Sequence, residues 1–200
     1  FELNDILIPD QVGDTILYLP KMIVKLDEFD LIENKFDIGE LTFKDAYVNL
    51  KKRKDSSVYS FQFLIEKFST SEDNSDASFS LNIGSLSVDN CRLIHVNYNF
   101  LDTSQIFDYQ NFKIDNLNLL FNNTTLYDEV VKSELKELSF YEKKGFELSN
   151  ISAGISVDSA NIFLTNLMSS TPSSEVSSPK LSYHFTNQSK DSIINYRVNN

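Results

Sequence analysis

The sequence predicts an all-β fold of half-buried, mostly antiparallel strands with one apolar face, joined by one or two short helical turns. Three observations carry this expectation. Apolar and polar residues alternate with a period of two along most of the chain, and Ile, Val, Phe, Tyr and Thr dominate the alternating stretches. The stretch FDIGELTFKDAYVNL at 36–50 is also written a second time, as LNIGSLSVDNCRLIH at 81–95.

Taken in order, the first strong alternation surrounds Leu19, Met22 and Val24. A short helical turn is expected near Glu28 to Asn34, ahead of the strand that opens at Phe36. The segment around 61–68 reads two ways: Phe61, Leu64, Ile65 and Phe68 have helical spacing, whereas Tyr59, Phe61, Phe63 and Ile65 fit a strand. SEDNSDAS at 71–78 and the serine- and proline-rich SSTPSSEVSSP at 169–179 read as loops, since proline supplies no ladder donor. Alternation resumes beyond each loop. One unit is therefore expected over 1–190, followed by a weakly ordered tail at 191–200.

The two copies match in their interruptions as well as their apolar positions. Ile38, Gly39 and Leu41 fall on Ile83, Gly84 and Leu86, while Phe43, Ala46 and Val48 fall on Val88, Cys91 and Leu93. In each copy the alternation slips at Gly39-Glu40 or Gly84-Ser85, and again at Lys44-Asp45 or Asp89-Asn90. A one-residue slip throws every later side chain to the wrong face. Either a bulge absorbs it or the second break is a two-residue hairpin setting Phe43 opposite Ala46. The shorter triple of apolar-x-x-apolar-x-apolar recurs at Leu19-Met22-Val24, Ile114-Leu117-Leu119 and Leu135-Leu138-Phe140. With 41% apolar residues, such triples arise by chance on the order of 14 times in this chain, so only the long paired alignment is informative.

Fifteen side chains of five such triples would forgo roughly 20 to 40 kcal/mol if left wet. Something must cover the face. A second sheet would close it into a β-sandwich; alternatively, lipid chains would fill an open curved sheet, at about 0.8 kcal/mol per buried methylene.

The chemistry of the chain is narrow. A net charge of −11 and a pI near 4.6 exclude the basic face that nucleic acid requires. One cysteine, Cys91, forms no internal disulfide, and His95 and His184 are too few and too far apart for a metal cluster, so neither metal nor cofactor is expected. Cys91 takes the place of Ala46 and reads as a small, inert core residue; His95 takes that of Leu50 and reads as a partly buried or rim histidine. Asp73 and Asp76 lack the glycine and terminal glutamate of a calcium loop. Serine-nucleophile, P-loop and dinucleotide fingerprints are missing, so no enzyme is expected. Lys51, Lys52, Arg53 and Lys54 form the one basic cluster, read first as a solvated strand end and second as a contact for anionic headgroups. No window of about 18 residues is free of charge, as a membrane-spanning helix would need, and the chain opens on Phe1, which reads as a cut from a longer parent.

Three stretches, ILIPDQVGDTILYLPKMIVKL, DLIENKFDIGELTFKDAYVNLKK and LKELSFYEKKGFELSNISAGI, together with FDYQNFKIDNLNLLF at 107–121, resemble the AsmA-like family, and within it the TamB-type translocation and assembly module proteins of Bacteroidota. The likeness runs from about Ile6 to Phe185. It implies a curved, twisted sheet forming an open trough, a segment of a periplasmic protein that shelters or conducts phospholipid acyl chains between inner and outer membranes and so supports outer-membrane biogenesis. The parent would be anchored in the inner membrane and engage an Omp85-class outer-membrane barrel through parts not present in this chain. The resemblance implies that Ile38, Leu41, Phe43, Ala46 and Val48 line the trough, continued by Ile83, Leu86, Val88, Cys91 and Leu93. A structural or adhesive β-sandwich binding protein partners, or a scaffold for outer-membrane protein insertion, are the alternatives.

Overall fold

The computed structural model describes residues 1–30, 35–64, 80–100, 108–127 and 130–185. The expected loop at 71–78, with Asp73 and Asp76, and the tail at 191–200 lie outside them. Among the described residues, eleven strands form one curved mixed sheet. In chain order these are β1 (Glu2–Pro9), β2 (Thr15–Asp30), β3 (Lys35–Lys44), β4 (Tyr47–Lys52), β5 (Ser80–Asn97) and β6 (Asn111–Tyr127). They are followed by β7 (Val130–Glu142), β8 (Glu147–Leu148), β9 (Asn150–Val157), β10 (Asn161–Thr171) and β11 (Ser174–His184). The lateral order is β1-β2-β3-β5-β6-β7-β9-β10-β11, with β4 between β2 and β5, and β8 on β7.

β3 and β4 are two stretches of one line. Against β2, Lys44 stands opposite Lys21 and Tyr47 opposite Tyr18, so the antiparallel frame passes through Asp45-Ala46 unbroken. The break is thus a bulge, and the hairpin that would set Phe43 opposite Ala46 does not form. Both stretches run parallel to β5, with Ile38 beside Ile83, Leu41 beside Leu86, Phe43 beside Val88 and Val48 beside Leu93. The other pairings are antiparallel.

This parallel seam explains why the pattern is written twice. Parallel neighbours advance in the same direction, so an extra residue in one must be met by an extra residue at the same level in the other. Side chains 45 residues apart knit the seam: Asn82 Nδ2 donates to Asp37 Oδ1 at 2.5 Å, Ser87 Oγ to Thr42 Oγ1 at 2.9 Å, and Asn90 Nδ2 to Asp45 Oδ1 at 2.6 Å. The Ala46 amide donates to Cys91 Sγ at 3.2 Å over the same spacing.

The interruptions extend far beyond the seam, as two lines across the strands. Along the first, Asp5, Asp45, Asn90 and Asn116 all have positive φ, and Pro20 stands between Asp5 and Asp45. Along the second, the β2 irregularity around Leu26, then Gly39, Gly84, Asn123, Gly154 and Asn166 fall at one level, where Asn123 and Asn166 are again left-handed. Only glycine, asparagine and aspartate visit this region cheaply, the latter two because their short side chains bond locally. On β5 the lines are separated by Gly84 to Asn90, about 20 Å of strand. A bulge bends its strand and increases its twist. Stacked in lines, bulges bend the whole sheet.

No second sheet covers the apolar face among the described residues: strands touch their sheet neighbours, and β8 also meets β10. Two other expectations are corrected. Glu28 to Asp30 continue β2 rather than forming a helical turn, while 31–34 lie outside the described residues. The serine- and proline-rich 169–179 is a hairpin, not a loop, with Thr171 opposite Ser174 around Pro172-Ser173. Pro179 is tolerated because β11 is an edge strand, which needs no donor on its outer side. Of the ambiguous 61–68, Gln62 to Leu64 are helical and the remainder is not described.

The second line is tight. A Cβ on Gly84 would sit 2.8 Å from the carbonyl oxygen of Gly39, which is backbone, whereas the nearest atoms to one on Gly39 are those of the exposed Asp27 carboxylate, at 2.6 Å. Gly84→Ala is expected to cost about 1 to 3 kcal/mol in urea unfolding. Gly39→Ala should cost less, because Asp27 can swing aside. Equal midpoints for wild type and Gly84→Ala would contradict the close approach.

Candidate functional site

The registers put the apolar triples side by side. Val24, Leu41, Leu86, Phe121, Leu135 and Ala153 form one row across β2, β3, β5, β6, β7 and β9. Met22, Phe43, Val88, Leu119 and Leu138 form the next. Beyond the first bulge line, Ile8, Leu17, Val48, Leu93 and Ile114 continue the same face. The opposite face is polar, with Lys25 paired to Glu40, Lys44 to Asp89 at 3.8 Å and Arg92 to Asp115 at 2.5 Å.

The structure brings all ten expected wall residues onto that one face. Ala46, Ile83 and Cys91 are buried; Ile38, Leu41, Phe43, Val48, Leu86, Val88 and Leu93 are half-buried. The burial they have comes from neighbours within the sheet. Leu19, Ala46 and Cys91 make a small core on the first bulge line, with Ile6, Leu17, Met22, Phe43, Val88 and Leu117 packed around it. Cys91 retains only 2% exposure, and burial pushes its thiol pKa up, helped by Asp45 and Asp89 against the Ala46 amide.

At the end of β4 lies the basic run, and three of its four side chains are engaged within the fold. Lys51 Nζ is 3.2 Å from Asp14 Oδ2, and Arg53 Nη2 reaches Asp10 Oδ2 at 2.6 Å and Asp14 Oδ2 at 3.3 Å. Lys52 Nζ stands 5.6 Å over the Tyr59 ring, and Lys54 is exposed. Asp10, its side chain 1% exposed, also accepts the amides of Val12 and Asp14, each at 2.9 Å, which ties the β1–β2 turn. Burial pushes its pKa up, but the two amides and Arg53 outweigh this and hold it below the usual aspartate range.

His95 sits half-buried on the apolar face, beside Leu50 and opposite Phe112. Its Nε2 lies 3.1 Å from the Tyr59 hydroxyl and its ring stacks on Phe112 at 5.0 Å. Burial lowers its pKa below the ordinary histidine value, opposed by the Tyr109 backbone and the charge of Asp108. Glu142, 1% exposed, is taken up by the amides of Lys144 at 2.6 Å and Lys113 at 3.4 Å. Sequence reasoning missed three features: Glu142, the extension of the face through Ile155, Leu164 and Leu181, and the Tyr59 contact. Alternation in ISAGISV and NIFLTNL signals the second; the others depend on long-range packing with no local pattern.

Two outcomes follow from these environments. A maleimide should leave Cys91 unlabelled in the folded protein and label it fully in urea; rapid native labelling would contradict its burial. Because the folded pKa of Asp10 is depressed, its stabilisation is present above about pH 4 and is lost as pH falls through the lower folded value. The stability gap between wild type and Asp10→Asn should therefore hold constant between about pH 7 and 5 and shrink below about pH 4. A gap independent of pH would contradict the ionised, bonded state of Asp10.

Among the described residues no helix is long and apolar enough to cross a membrane, and no group of three or more His, Cys, Asp or Glu could hold a metal. No family model, no curated protein and no solved structure matches the chain.

Proposed function

We propose that this chain is a segment of a periplasm-spanning, AsmA-like protein of the TamB type, and that its apolar face shelters or conducts phospholipid acyl chains between the inner and outer membranes. The observation that carries the reading is a wide apolar face, continuous across six strands, whose central residues are half-buried rather than buried. Leu41, Phe43, Leu86 and Val88 would be buried beneath a second sheet, yet they are half-buried. Acyl chains supply the missing contact, each buried methylene contributing about 0.8 kcal/mol. In this reading the bend at the bulge lines makes this face the concave one, and the polar, hydrogen-bonded face is the outer one. The resemblance in the segments quoted above supports the same reading and supplies the periplasmic setting and the Omp85-class partner.

No residue reacts in this mechanism. Groove width and wall apolarity set selectivity, so a charge on the wall blocks passage while the outer ladder still holds the sheet. A second reading, a scaffold for inserting outer-membrane proteins, is favoured by the edges of β1 and β11, which pair on one side only among the described residues.

In cells carrying the full-length protein, a benzophenone amino acid at Leu41 or Leu86 should capture phospholipid, and one at Thr42 or Ser87 should not. Leu41→Asp with Phe43→Asp should abolish lipid transport while the protein remains folded. Protein adducts at the edge strands without lipid adducts at Leu41 would favour the scaffold; intact transport in the double aspartate variant would contradict the conduit.

A further inference from the structure

β4 ends at Lys52, whereas its parallel neighbour β5 begins at Ser80, level with Lys35 at the far end of β3. Parallel neighbours need a crossover connection. The described start of this one, Arg53 to Leu64, turns back onto the apolar face. Tyr59 bridges to Lys52, the Ser60 amide donates to the Lys51 carbonyl at 2.7 Å, and the Lys51 amide donates to Ser60 Oγ at 3.3 Å. The Tyr59 ring lies 5.4 Å from that of Phe61 and 5.4 Å from that of His95, and His95 stacks on Phe112. His95 belongs to the row just beyond Val48, Leu93 and Ile114.

We propose that Tyr59 and Phe61 form a built-in aromatic cover that occupies one margin of the apolar wall in place of an acyl chain. The inference rests on the lipid reading above and deepens it, because it names the residues that limit how much of the wall a lipid reaches. The central rows through Leu86 and Val88 stay open; the Leu93 row is shielded until the cover lifts. Three features fit this role. The cover offers aromatic carbon to an apolar wall, as an acyl chain offers methylenes. It is latched by the Tyr59 hydroxyl at His95, a polar contact that no acyl chain could make. Among the described residues it is tied to β4 by a single bridge, two bonds with Ser60 and the Lys52 ammonium over the Tyr59 ring, far fewer than the contacts that join any two long strands, so it can be displaced without unfolding the sheet.

The test uses the full-length protein with vesicles of phosphatidylethanolamine and phosphatidylglycerol, and a benzophenone amino acid at Leu86 or Leu93. In otherwise wild-type protein, Leu86 should capture lipid, and Leu93 should crosslink internally to the peptide containing Tyr59 and Phe61. Tyr59→Ala with Phe61→Ala should raise lipid capture at Leu93 from background to the level seen at Leu86. Tyr59→Phe, which keeps the rings and removes the latch, should give an intermediate level and guards against a misfolded double variant. Equal lipid capture at Leu86 and Leu93 without these substitutions would overturn the cover and leave the lipid reading standing. Lipid capture at neither position, in any variant, would overturn the lipid reading and the cover with it.

Discussion

The fold depends on keeping backbone bulges level with one another across many strands. A lone bulge reverses the faces of its own strand beyond it, and an apolar face would then break up into a checkerboard. Here the extra residue is repeated at nearly the same height from β1 to β6 on one line and from β2 to β10 on the other. Every strand crossing a line shifts together, so the apolar rows resume on the correct side. Bending and continuity of the face thus have one cause. The cost falls on backbone conformation: each of the seven non-glycine residues with positive φ among the described residues is Asp or Asn.

A single bent sheet has a structural consequence that a sandwich does not share. Its apolar side chains gain burial only from lateral neighbours. Ala46 and Cys91 on the bulge line are buried, as are Val24, Ile83, Ile114 and Leu135, but Leu41, Phe43, Leu86, Val88 and Leu93 stay half-buried, which leaves both a cost in water and a capacity for a flexible apolar partner. The outer face contributes in a different way. Hydrogen bonds and ion pairs link Asp37 to Asn82, Thr42 to Ser87 and Arg92 to Asp115, giving the sheet lateral cohesion that does not draw on the apolar wall. The exposed ion pair is individually weak. The part-buried hydrogen bonds of Asp37 with Asn82 and of Thr42 with Ser87, repeated along the parallel seam, also fix register.

Much of this was legible in the sequence, and the reasons for the rest are physical. The long alignment of 36–50 with 81–95 located both interruptions correctly, and the ten wall positions named from it share one face. The parallel pairing of the copies was not legible, because alternation reports faces and not strand direction. A shared local signal was present but unread. Each left-handed strand residue stands in the pattern of inner residue, polar residue, Asp or Asn, inner residue: Leu3 to Ile6, Phe43 to Ala46, Val88 to Cys91, Ile114 to Leu117, Phe121 to Thr124 and Leu164 to Leu167. The hairpin at 169–179 was misread because serine and proline resemble a linker in composition, and only its position at the sheet edge makes proline acceptable. The aromatic contact of Tyr59 with His95 joins residues 36 apart and leaves no trace in either local pattern.

The central claim is that the apolar face is open to an aliphatic chain. Its most direct test is solution NMR of methyl groups with a stearic acid nitroxide. Signals of Leu41, Leu86, Leu119 and Leu138 should broaden strongly, while those of the equally half-buried Leu120 on the opposite face and the buried methyl of Ala46 should persist. Broadening that is absent, or spread evenly over both faces, would mean that the wall is closed or that the probe finds no groove, and the account of an acyl-bearing sheet would fall.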